Sequence, residues 1–152
     1  DEKHNGSFLY SLVMGTYTGG DNLPLNHKLF LAQFDTIKKL AEEESCVIIG
    51  RCADYILGDY SNCINTFIYA YKDDRIRRIM KLYELNEKQA ADKIKKTDRE
   101  RKLYYEARTG REWGGIESNS MMFNTSLLGI DGAVDALEAI YRKWDAGRDV
   151  ES

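Results

Sequence analysis

The sequence predicts an α/β fold with a parallel sheet held between helical layers, three layers in all. Three observations predict it. Apolar runs alternate with amphipathic helical stretches along the chain, which implies crossover connections. The run Cys46–Gly50 is apolar throughout, as in a strand covered on both faces. The run Ile64–Ala70, INTFIYA, is rich in β-branched and aromatic residues.

Taken in order, Ser7–Met14 is apolar enough to pack and Gly15–Asn22 reads as a loop. Asn26 offers an N-cap. After it Leu29, Phe30, Phe34, Ile37, Leu40 and Ala41 recur at helical spacing. A strand is expected at 46–50, a short helix at 52–57 and a second strand at 64–70. Asp73 and Asp74 open a helix whose Ile76, Ile79, Met80 and Tyr83 face the core. Asn86 caps a longer helix ending near Thr109. A third strand is expected at 123–127. The last helix begins at Asp131 and carries Ala133, Leu137, Ile140, Tyr141 and Trp144 on one stripe.

The chain has 152 residues, the size of one domain, and 43% of them are hydrophobic. A net charge of −3 argues against general attachment to nucleic acid or to acidic membranes, and neither is expected as a partner. Cys46, Cys52 and Cys63 show no CxxC spacing, and the only histidines are His4 and His27. No metal site is expected, and the thiols suit a reducing, cytoplasmic setting. Nothing in the sequence speaks to oligomeric state.

Arg51 directly follows an apolar run, where a guanidinium is costly without an anionic partner. Its fork suits a phosphate or carboxylate. One reading is a salt bridge to Asp54 or to another acid. The other is a ligand-binding arginine at the carboxyl end of a strand, where parallel α/β sheets hold their ligands. A second group is Lys93–Gly115, KIKKTDRERKLYYEARTGREWGG, a basic helix running into glycines in an acidic chain. It reads either as a solvated helix face or as a mobile basic flap that closes over phosphates. The helix DDRIRRIMK carries Arg75, Arg77, Arg78 and Lys81, read mostly as surface charge.

The segments GRCADYIL, DDRIRRI, TDRER, YYEARTGREWG and NTSLLGIDGAVDALEAIY, in that order, resemble the cytidylate kinase-like family, a branch of the P-loop nucleoside monophosphate kinases. The similarity runs from about Ser7 to Tyr141. It implies a single kinase-like domain over 1–152, a P-loop kinase-like version of the three-layer fold with a helical basic lid at about 86–115. It also implies transfer of the γ-phosphate of ATP, with Mg, to a nucleoside monophosphate or similar small phosphate acceptor. By that resemblance Arg51 and Asp54 would lie in the monophosphate site. Arg99 and Arg101, with Arg108 beside them, would be the catalytic lid arginines. Cytidylate kinases place an aspartate directly after the Gly-Arg pair; here Cys52 stands there and Asp54 comes two positions later.

The family's phosphate loop, GxxxxGK[ST], has no match. Gly15 and Gly20 are followed by Asp21 and Asn22, and Gly110 and Gly115 by Ile116 and Glu117. The chain starts at Asp1 without a methionine, which agrees with a fragment or a processed chain; if the 152 residues are the whole protein, the family's ATP-phosphate cradle is lost. Residues 1–152 alone are expected to lack kinase activity. The alternative is a non-catalytic nucleotide-binding or regulatory module on a kinase scaffold.

Overall fold

The computed structural model describes residues 25–148. The expected apolar segment Ser7–Met14 and the loop Gly15–Asn22 lie outside them. The chain divides into two compact units, one up to Cys63 and one from Ile64 onward.

In the first unit, helix α1 (Leu25–Glu43) covers Asn26, which is therefore inside the helix rather than its cap. Its apolar spacing works as the sequence implies. Ile37 is buried together with Ile56 and Leu57, and Phe34, Ala41, Ile48, Ala53, Tyr60 and Cys63 pack around them. Helix α2 is the single turn Ala53–Ile56. Tyr60 ties its following loop back to α1, donating from its hydroxyl to Glu42 Oε1 at 2.7 Å. That bond to a carboxylate raises the phenol's pKa.

The expected strand 46–50 does not form. Residues 45–49 carry no regular structure. Val47 is 93% and Ile49 is 89% exposed, while Ile48 turns in against the α1–α2 core. The apolar run is thus covered on one side at one residue, not on both faces.

The second unit is built on two parallel strands. β1 (Thr66–Tyr69) pairs with β2 (Met121–Asn124) in the register Thr66↔Met121 through Tyr69↔Asn124. Between them run α3 (Lys72–Tyr83) and α4 (Glu87–Thr109), followed by a 3-10 turn at Ile116–Ser118. Ile76 of α3 is buried, Ile79 and Met80 are half-buried, and Tyr83 is exposed with the Lys93 ammonium 4.4 Å from its ring centre.

Helix α4 starts where Asn86 predicts. Its side chain accepts from the Gln89 N–H at 2.9 Å, and Gln89 Oε1 accepts from the Asn86 N–H at 3.0 Å, a reciprocal capping box. Gly110, at φ 66, closes the helix and donates to the Glu106 carbonyl.

β2 falls two residues earlier than expected. Asn124 Oδ1 accepts from the Ser126 N–H at 3.0 Å and Thr125 Oγ1 donates to the Tyr69 carbonyl at 3.2 Å. These side-chain bonds turn the chain out of the sheet. Helix α5 spans Thr125–Arg148 with a break at Gly129, whose φ is 70 and ψ 176, so its long regular part starts next to the expected Asp131. Of its expected stripe Ala133 is buried, Leu137 and Trp144 are half-buried, and Ile140 and Tyr141 are exposed. Among the described residues no helix is long and apolar enough to cross a membrane.

Candidate functional site

In the first unit the site residues sit on an unusual piece of backbone. Gly50, Arg51 and Cys52 have φ of 68, 60 and 58, three consecutive residues in the left-handed region. Glycine accepts this conformation freely. At Arg51 and Cys52 it costs roughly 1–2 kcal/mol each. The turn is held by the Ala53 N–H donating to the Gly50 carbonyl at 3.1 Å and by the Tyr55 and Ile56 N–H groups donating to the Cys52 carbonyl at 3.0 and 2.9 Å. Cys52 is 3% exposed, so its side chain anchors the turn while Arg51 points to solvent.

The salt bridge to Asp54 that would have made Arg51 structural is absent. Arg51 has no ion-pair partner among the described residues. Asp54 is half-buried in the first turn of α2, a position where a carboxylate also suits the helix dipole.

The other three candidates all lie on α4. The core-facing stripe of that helix runs through Ala90, Ile94, Asp98 and Tyr105. Arg101 and Arg108 fall on this stripe by 3.6-residue spacing, Arg101 exposed and Arg108 half-buried. Arg108 packs over the Tyr104 ring with 5.6 Å between guanidinium carbon and ring centre. Arg99, two positions before Arg101, is about 200° round the helix on the outer face. The structure therefore puts Arg101 and Arg108 on one side and Arg99 on the other.

Two contacts around α4 were not legible in the sequence. Arg75 of α3 grips Asp98 of α4 with both prongs, Nη1 to Oδ2 at 2.8 Å and Nη2 to Oδ1 at 2.7 Å. The bond keeps the Arg75 guanidinium's pKa above its ordinary value against the opposing effect of burial. By type and position Arg75 reads as surface charge, and the two residues lie 23 apart, so no local spacing signals the pair.

The second contact is just past the end of α4, at Trp113 and Gly114. Trp113 meets Phe67 of β1 edge-on with ring centres 5.5 Å apart, and Gly114 lies against the same ring. The Asn119 amide donates to the Gly115 carbonyl at 2.8 Å. Trp113 and Gly114 thus pack on Phe67 of β1.

Beyond the carboxyl ends of β1 and β2, Ser126 links the starts of α3 and α5. Its Oγ accepts from the Tyr71 N–H at 2.8 Å, and its side chain bonds Asp74, which also pairs with Arg77. The Ser126 bond, more than the Arg77 charge, holds the Asp74 carboxyl below the usual carboxylate range.

The described residues hold two parallel strands and a long basic helix in one unit, and an arginine without an ion-pair partner on a strained turn in the other. The profile of the cytidylate kinase-like family matches residues 1–127, and the chain belongs to that family. The fold is similar to a crystal structure of an uncharacterized protein from Eubacterium ventriosum, with a TM-score of 0.76 and 29% identity over 88% of this chain and 78% of that one. No curated protein matches the chain.

Proposed function

We propose that the protein is a phosphotransferase of the cytidylate kinase-like type, moving the γ-phosphate of ATP to a nucleoside monophosphate or a similar small phosphate acceptor. Family membership supports the kinase-like scaffold. The observation that carries the reading is Arg51, an exposed guanidinium without an ion-pair partner among the described residues, displayed by strained backbone. Strain of this kind persists where a site needs it.

On this reading Arg51 holds the acceptor phosphate through charge-assisted bonds, and Asp54 accepts from the acceptor's sugar or base. Residues 86–115 form the lid of a single P-loop kinase-like domain with a three-layer parallel sheet. Arg101 and Arg108, on one side of α4, stabilise charge on the transferring phosphoryl, and Arg99 adds to the field from the other side. Catalysis of this type is positioning and charge neutralisation, with no covalent intermediate on the protein. ATP and Mg are the cofactors this chemistry uses. Among the described residues no three metal-ligating side chains cluster. No GxxxxGK[ST] occurs in the sequence, so no residue here is assigned to the ATP phosphates.

The test is ATP turnover by the chain extended upstream through a phosphate loop, over a panel of nucleoside monophosphates and other small phosphate acceptors, with Arg51→Ala as the control. Transfer to one acceptor, with a raised KM in the variant, is expected. Monophosphate binding without transfer would favour the non-catalytic binding module instead, and neither binding nor transfer would end the reading.

A further inference from the structure

We propose that Arg75 and Asp98 are positioning residues that set the roll of α4 and so aim Arg101 at its anion; the inference rests on the phosphotransfer reading above. A single-point charge contact would hold two helices together yet leave each free to turn about its axis. A two-pronged guanidinium–carboxylate pair fixes direction as well as distance. Here both prongs are made, at 2.8 and 2.7 Å, between the first turn of α3 and the middle of α4. The two side chains are 36% and 26% exposed, which limits screening by water.

Arg101 lies one turn beyond Asp98 on the same stripe. Its neighbours are committed elsewhere: Lys96 to Glu100, Lys102 to Glu106, and Arg108 over Tyr104. Arg101 has no ion-pair partner among the described residues. Turning α4 by little more than a quarter of a turn would carry Arg101 off the side of the helix it shares with Asp98 and bring Lys102 towards that side. The Arg75–Asp98 fork opposes that rotation.

A merely structural ion pair would behave differently from a positioning pair, and the double variant Arg75→Met/Asp98→Leu separates them. An apolar pair of similar size keeps helix packing and often keeps stability, but it has no directional bond. The first measurement is titration of inorganic pyrophosphate into the full chain. Arg101→Ala should weaken binding roughly 10–100-fold, the range of one charged hydrogen bond. Arg75→Met/Asp98→Leu should weaken it by a similar factor, and adding Arg101→Ala to that background should cause no further loss. Arg75→Lys, which keeps the charge without the fork, should show the same loss if the double variant folds poorly. In turnover, both the pair variant and Arg101→Ala should lower kcat about 10²-fold.

Binding by the pair variant or by Arg75→Lys equal to the parent's would overturn the proposal. So would losses that multiply with Arg101→Ala, or a parent that does not bind pyrophosphate. Pyrophosphate results as expected with no turnover on any acceptor would leave this inference standing and remove the transferase reading alone.

Discussion

Gly114 is the position where a single methyl group tests the anchoring of the basic helix. Its φ is +75, and a Cβ there would lie 2.9 Å from Phe67 Cζ and 3.2 and 3.3 Å from the adjoining ring carbons. Carbon atoms in ordinary contact sit about 3.5–4.0 Å apart. The ring cannot simply retreat, because Trp113 packs edge-on against it at 79°. Gly114→Ala therefore meets two costs: about 1–2 kcal/mol for left-handed backbone at a residue with a Cβ, and about 1–3 kcal/mol for overpacking. Gly110→Ala isolates the first. Its φ is +66 and nothing lies within 4 Å of the added Cβ, so about 1–2 kcal/mol is all it should lose. Urea unfolding of both variants, followed by tryptophan fluorescence, gives the comparison at constant slope. The expected order is Gly114→Ala least stable, with Phe67→Leu on that background recovering part of the loss. Equal losses for the two glycine variants would show that the Phe67 contact is loose and that α4 is not anchored at its end.

Arg51→Gly should weaken monophosphate binding by about 1.5–3 kcal/mol by calorimetry, while stability stays level or rises by up to about 1 kcal/mol as the strain is relieved. Unchanged affinity would return Arg51 to the loop. Because the Asp74 carboxyl is held below its ordinary range in the folded chain, its ionised form favours folding. That contribution is present above the unfolded carboxylate pKa of about 3.9 and is lost as pH falls through the lower folded value. The stability gap between parent and Asp74→Asn should accordingly close on acidification in that window, and a gap that widens would contradict the assignment. Val47→Thr and Ile49→Thr should each cost less than about 0.5 kcal/mol, as exposed positions do; losses of about 1.5 kcal/mol or more, the value of a buried side chain, would place residues 46–49 in a sheet.

What the sequence made legible is what neighbouring residues decide. Asn86 and Gln89 start α4 by bonding each other's backbone, and Gly110 ends it, so both limits could be read from caps alone. The ion pairs Lys96–Glu100 and Lys102–Glu106 follow helical spacing and were readable in the same way. The Arg75–Asp98 pair was not, because choosing one acid for one base across 23 positions requires knowing how α3 lies on α4. The segment 46–50 failed for a related reason. Apolar composition says that cover is wanted and not which neighbour supplies it, and here only Ile48 receives any.

Arg51 stands between these cases. Its residue type and place after an apolar run selected it, but nothing local announces a positive φ at an arginine followed by another at a cysteine. Local preference and observed backbone disagree at two consecutive residues, and such conflicts concentrate at sites that do something. If the turn needed only its left-handed geometry, glycine or asparagine at 51 would supply it at lower cost. If the guanidinium were wanted for stability, it would be paired, and among the described residues it is not. What remains is a side chain kept on unfavourable backbone, facing solvent, with its hydrogen-bonding fork open. That argues for an anionic ligand from the geometry of one turn, and it would stand without the family resemblance.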